Sequence, residues 1–334
     1  MKRASKAVHY LGEFSSGVAP GVTQNKHRQP TLKAPLGPAT WPFWIIAGLA
    51  WLATRLPLQA QRAIGRSIGR TFQRLGRSRR HVTRVNLRLC FPDRTEEERE
   101  ALLHAHFETA GIGVLETACG WWCPGAKFDG IYSIEGLEHL DQALEKGHGV
   151  LLVSAHFTTL EFCARILTLH RSFAAMYRPN ENPVVDYLFK RNREHHTEGA
   201  IDRNDIKGLL RALKRNTVVW YAPDQGKSGR HTELVPFFGV PASTQTATHR
   251  IARISHAAVL PFFGYRQADG RYRLTIHPPL SDFPTEDPVA DTARINQVIE
   301  KAVLEAPEQY FWSHRRFKKR RGLPDPYRQA ITER

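Results

Sequence analysis

Gly149-Val-Leu-Leu-Val-Ser-Ala-His-Phe-Thr-Thr-Leu-Glu161 carries two kinds of local order in thirteen residues. Val150 to Val153 form an unbroken apolar, partly β-branched run, the composition of a buried strand. The run breaks at Ser154-Ala155-His156, and a helical pattern follows from about Thr158 to Leu167. His156 thus falls where a strand hands over to a helix, at the sheet edge where open α/β folds bind ligands. Glu161 lies in the first turn of that helix, and its carboxylate is expected to turn back toward the imidazole. A carboxylate on one ring nitrogen fixes the tautomer and raises the basicity of the other, which can then take a proton from an alcohol. The competing reading is a strand-end histidine followed by an acid that only complements a helix N-terminus. The pentad alone leaves both open.

Working outward, Ser172 to Tyr177 reads as a second strand, ending in the polar loop Arg178-Pro-Asn-Glu-Asn-Pro183. A helix from Val184 to Arg193 follows, with Lys190, Arg191 and Arg193 near its C-terminus, where basic residues complement the dipole. After a short amphipathic helix over Asp205 to Arg215, Thr217-Val-Val-Trp-Tyr-Ala222 is another strand, capped by Pro223-Asp224-Gln225-Gly226. An Asp there is a turn former or a site residue. Ala242-Ser-Thr244 is expected to cap a helix running to about Ser255, and Ala258 to Tyr265 pairs with Arg271 to Ile276 across Gln267-Ala-Asp-Gly270. Upstream, Thr95-Glu-Glu-Glu98 has the look of a capping box opening a helix to about Cys119, which Trp121-Trp122 closes. Helices alternating with short strands predict one α/β domain, a mixed central sheet flanked by helices.

The formal charge of +16 is concentrated at one end. Residues 1–92 hold 16 Lys/Arg against a single acid, Glu13, whereas residues 93–334 hold 32 against 31. Residues 1–40 lack periodicity and read as a mobile basic tail. Trp41 to Ala53 is uncharged but short of the ~20 residues that span a bilayer. It is expected to be an N-terminal membrane-anchoring helix, spanning or lying in the interface, with a buried core helix as the alternative. Next, Arg62, Arg66, Arg70 and Arg74 recur every four residues, opposite an apolar stripe of Ile64, Ile68, Phe72 and Leu75. A basic amphipathic helix beside an apolar segment suits an anionic membrane surface, with the body on the cytoplasmic side. No nucleic-acid-binding signature accompanies these arginines. Gly65-Arg-Ser-Ile-Gly69 mimics a hydrolase nucleophile motif, but no strand precedes it, so Ser67 is rejected as a nucleophile. Cys119 and Cys123 have no second pair at zinc spacing, and all four cysteines are expected to be reduced.

These blocks together resemble the late acyltransferases of bacterial lipid A biosynthesis. The likeness runs from about residue 41 to 321. It rests on His156-Phe-Thr-Thr-Leu-Glu161, Tyr177-Arg-Pro-Asn-Glu-Asn-Pro183, Trp220-Tyr-Ala-Pro-Asp-Gln225, Val235-Pro-Phe-Phe-Gly239 and Pro307-Glu-Gln-Tyr-Phe-Trp-Ser-His-Arg-Arg-Phe-Lys318. The resemblance implies a glycerolipid acyltransferase-like fold, with anchor and amphipathic helix over 41–92, acyltransferase domain over 93–321 and C-terminal tail over 322–334. It implies a His156–Glu161 dyad, with Arg193, Arg178, Asp224 and Gln225 binding substrate or oxyanion, and Asp224 orienting one of the arginines. It further implies an acyl-acyl carrier protein donor, a lipid A precursor acceptor, no metal or other cofactor, and the bacterial inner membrane. The Arg315–Arg321 run would suit an acidic carrier protein or form a solvated basic tail. One departure stands out. Many members follow Asp224 with an acid, an aromatic and a glycine, where this chain has Gly226-Lys-Ser-Gly229.

Overall fold

A computed structural model of the chain describes residues 33–226, 229, 231–318 and 320–328. Of the expected tail over residues 1–40, residues 1–32 lie outside them, and Pro38–Thr40 form a 3-10 turn. The polypeptide begins with four helices: α1 (Trp41–Ala53), α2 (Leu58–Leu75), α3 (Arg77–Cys90) and α4 (Glu96–Trp122). The capping box at the head of α4 is present, Thr95 and Glu98 each bonding the other's backbone N–H. Trp121 and Trp122 complete this helix rather than closing it off. Then follow β1 (Tyr132–Glu135), α5 (Leu137–Glu145), β2 (Val150–Val153), α6 (Leu160–Leu167), β3 (Ala174–Tyr177), α7 (Pro183–His196) and β4 (Gly199–Asp202). The remainder is α8 (Ile206–Lys214), β5 (Val218–Tyr221), the hairpin of β6 (Thr232–Phe237) and β7 (Val240–Gln245), α9 (Ala247–Ser255), β8 (Ala258–Arg266), β9 (Tyr272–Ile276) and α10 (Pro288–Glu305).

Seven strands make one sheet in the order β1-β9-β8-β2-β5-β3-β4. Only β8 and β9 run antiparallel, joined by the expected turn, so the sheet is mixed. β2 sits in the middle with all four residues at 0% exposure, which is why its sequence is continuously apolar. Leu151 and Val153 face a core shared with α3, α4, α8, α9 and α10, while Val150 and Leu152 face one shared with α5 and α6. Ala242 to Gln245 belong to β7, so the expected helix starts later, at Ala247. β4 has half-buried residues throughout and no alternation, which left it illegible beforehand.

The amino-terminal helices correct two expectations. No described helix is long and apolar enough to cross a membrane. α1, at thirteen residues, spans about 20 Å against a hydrocarbon core of about 30 Å. Nor is it a core helix, because none of its residues is buried. α2 packs on α4 through its small residues, where Gly65 and Gly69 meet Gly111 and Ile112 backbone to backbone. That crossing turns Ile64, Ile68, Phe72 and Leu75 outward, with Leu75 79% exposed. Cys119 and Cys123, expected to be reduced, face each other across the last turn of α4 as a disulfide, while Cys90 and Cys163 are free and buried. The C-terminal segment is packed as far as Tyr327, whose buried hydroxyl donates to Asn86 Oδ1.

Candidate active site

β2 and β5 pair in parallel with Val153 opposite Tyr221. His156 and Asp224 each lie three residues beyond that matched pair of strand ends, so the sheet itself brings them together. The His156 N–H donates to Asp224 Oδ2 at 3.0 Å, and the ring Nδ1 meets Oδ1 at 2.5 Å. An ionised carboxylate only accepts, so Nδ1 carries the hydrogen and Nε2 keeps its lone pair. Asp224 is 2% exposed. Burial works against its charge, but the imidazole, the His156 N–H and the Tyr310 hydroxyl bring its carboxyl down to about 2. Burial likewise opposes charge on His156, yet Asp224 outweighs it and raises the imidazole above its ordinary value.

Glu161 does not hold His156. Its carboxylate pairs with Arg193 of α7 at 2.5 Å, in a bridge whose side chains are only 11% and 13% exposed. Arg193 also donates to the Met176 carbonyl at the end of β3 and lies near the Tyr177 and Phe189 rings. The reason is local. Glu161 lies in the first turn of α6, on the side facing α7, whereas the Nδ1 side of His156 faces β5. The expected Glu161–His156 contact is thus replaced by two neighbouring pairs, and Asp224, expected to orient an arginine, orients the histidine. Both pairs still act on one centre, because the charge of Arg193 lowers the affinity of His156 for a proton and that of Glu161 raises it.

The C-terminal segment straps this turn from above. Thr158 N–H donates to the Gln309 carbonyl, and Phe311 N–H to that of His156. His156, Asp224, Gln225, Tyr310, His314 and Arg316 line one small recess. Gln225 therefore joins the His156–Asp224 pair in this recess. Arg178 does not: it is exposed beyond β3, and no described hydrogen bond or ion pair ties it to the pairs above. Lys227 and Ser228 of the divergent loop lie outside the described residues. Tyr310 and His314 were missed as site residues. They sit in a block whose aromatic and basic character was visible, but nothing local in it points toward β2. A second, small recess lies against the Glu161–Arg193 pair, lined by Trp121, Phe173 and Trp220 among others. Trp121 and Asn192 also line a wide groove walled by Trp44, Trp51, Trp122 and Tyr187.

A histidine base oriented by a buried carboxylate, beside an arginine at the C-terminal edge of a sheet, defines a centre that can activate a hydroxyl and bind a developing negative charge. Comparison with known proteins sharpens this. Residues 27–319 match the model of the bacterial lipid A biosynthesis acyltransferases, and the chain belongs to that family. It is 38% identical to the lipid A biosynthesis lauroyltransferase of Escherichia coli K12, over 87% of this chain and 96% of that one. The palmitoleoyltransferase of the same organism is 36% identical over 85% and 94%, and its myristoyltransferase 30% identical over 87% and 91%.

Proposed function

We propose that this chain moves a fatty acyl group from an acyl-acyl carrier protein to the hydroxyl of a 3-hydroxyacyl chain on a lipid A precursor. The observation that carries the reading is the His156–Asp224 pair, which leaves Nε2 as the free basic atom at a sheet edge beside Arg193. In this scheme Nε2 takes the hydroxyl proton as the oxygen attacks the thioester carbonyl, and Asp224 stabilises the imidazolium. The tetrahedral oxyanion is held by Arg193, which Glu161 keeps in place. Collapse expels the thiolate, which recovers the proton from His156. The transfer is direct and forms no acyl-enzyme. The relatives carry lauroyl, palmitoleoyl and myristoyl names, so the donor chain length is set by details in which they differ.

The same reading places the work at a membrane face, the cytoplasmic side of the inner membrane. Two adjacent helices display apolar surface: α1 through Trp41, Ile45, Ile46, Leu49 and Leu52, and α2 through Ile64, Ile68, Phe72 and Leu75. Exposed Arg66, Arg70 and Arg74 flank the second stripe, as on helices that lie in an anionic interface.

Mass spectrometry of a lipid A precursor incubated with detergent-purified protein and a mixture of acyl-acyl carrier proteins tests the proposal. A mass gain of one acyl chain in wild type, lost in His156→Ala, is expected. Transfer only to a lysophospholipid acceptor, or undiminished transfer by the mutant, overturns it.

A further inference from the structure

Arg316 belongs to the Arg315–Arg321 run that reads as a basic docking or solvated segment, yet its side chain is 3% exposed. Its Nη1 donates to the Ser243 carbonyl at 3.1 Å and its Nη2 to Thr244 Oγ1 at 2.8 Å, with Asn296 Oδ1 at 3.5 Å. All three acceptors are neutral. Nε has no partner, the guanidinium lies 4.9 Å from the Phe237 ring centre, and no described carboxylate comes within ion-pair distance. A buried cation with no carboxylate at ion-pair distance is costly, because no direct pairing offsets the desolvation of the guanidinium. The neighbourhood supplies a reason to keep it. Arg316 lines the same recess as His156 and Asp224, and the Asp224-Gln225-Gly226 turn is pressed against it. A Cβ on Gly226 would meet the Arg316 carbonyl oxygen at 2.7 Å. Tyr310, bonded to Asp224, stands within the field of Arg316 as well.

We propose that Arg316 is a positioning residue for the His156–Asp224 pair, a fixed positive charge behind Asp224 that limits how much basicity the carboxylate lends the imidazole. Asp224 is thus shared between two cations, one that titrates and one that does not. Without the second, the carboxylate would lend the imidazole more basicity, and a smaller share of it would be neutral and able to accept the proton of the attacking hydroxyl at a given pH. The other groups acting on His156 are Arg193 on α7 and Glu161 on α6, with His314 on the C-terminal segment facing the same recess. Those acting with Arg316 are Tyr310, Cys90 on α3, Tyr327, Glu300 on α10 and His314, whose own neighbour is Lys318. None of these supplies a second carboxylate to the pair at the distance of Asp224.

The inference rests on His156 being the base, so its test reads the imidazole directly. The His156 ring is titrated by NMR in the full-length protein in detergent, its resonance assigned by its loss in His156→Gln. Arg316→Gln is expected to raise the midpoint by about one pH unit, the effect of one charge acting over roughly 10 Å at an effective dielectric near ~20. Arg316→Lys is expected to stay within a few tenths of a unit of wild type. Asn296→Asp, which sets a carboxylate against Arg316 without removing it, is expected to shift the midpoint the same way as Arg316→Gln, and it carries the test if Arg316→Gln does not fold. In the transfer assay the rising limb of the pH–rate profile moves upward with the midpoint. An unchanged midpoint in either folded charge variant overturns the inference. Transfer that survives His156→Ala removes the base assignment instead, so the two failures are separable.

Discussion

His156 gives its Nδ1 hydrogen to Asp224, sixty-eight residues away, while Glu161, five residues away, is committed to Arg193. The partner that tunes the imidazole is the one delivered by the neighbouring strand. The nearby acid has a different task. Asp224→Asn preserves shape but presents an amide to Nδ1, and it is expected to lower kcat by about 10²-fold or more with little change in KM. Steady-state kinetics at saturating acceptor check this. A rise in KM with kcat unchanged would mean that Asp224 binds substrate instead.

The Glu161–Arg193 bridge makes a separate demand. Each side chain is nearly enclosed, so removing one leaves the other buried and uncompensated. Glu161→Gln and Arg193→Met are each expected to cost about 2–4 kcal/mol of stability, and the double mutant clearly less than their sum. Denaturant melts of the four proteins measure the coupling. Strict additivity would count against a bridge in solution.

The α2–α4 crossing is equally exacting. A Cβ on Gly69 would run into the Phe107 carbonyl, and one on Gly65 would lie 2.6 Å from Ile112 Cα. Gly69→Val is therefore expected to prise the helices apart and lower the Tm by several degrees, with new protease cleavage between α2 and α3. A surface change at Ser67, which lies outside the contact, should leave both unaltered.

Acid stability follows from His106, which is fully buried and held down to about 4 by burial, against the pull of nearby carbonyls. Its folded value lies below its unfolded one of ~6.5, so the unfolded chain binds the extra proton between those values. The stabilisation is present above about pH 6.5 and is lost as pH falls toward 4, worth about 3 kcal/mol for the full shift. His106→Gln removes this dependence, and melts from pH 7 to 4 should show a flatter decline. His314 and His196, also held near 4, add slopes of the same sign.

Much of the architecture was written locally. β2 is legible because four consecutive apolar residues have no solvent face, and α4 because its capping box and apolar spacing agree. The site was half legible. His156, Glu161, Arg193, Asp224 and Gln225 stand out as motif residues, but who pairs with whom depends on the register of β2 against β5 and on the facing of α6 and α7, which no local pattern encodes. Arg316 misled for a related reason. A basic run looks solvated unless one knows that β7 and α10 close over it. The stripe on α2 was seen correctly as two-sided, but which side meets the body was decided by glycines, whose lack of a side chain gives no hydrophobic signal.

The strap formed by Gln309 and Phe311 makes the site depend on one segment. The backbone that clasps the His156 turn, the tyrosine on Asp224 and the arginine in the same recess all come from residues 309–316. The register of β2 against β5 can bring His156 beside Asp224 without that segment, but the clasp, the tyrosine and the arginine would all be missing. Loosening this single stretch would therefore silence the site while leaving the sheet standing.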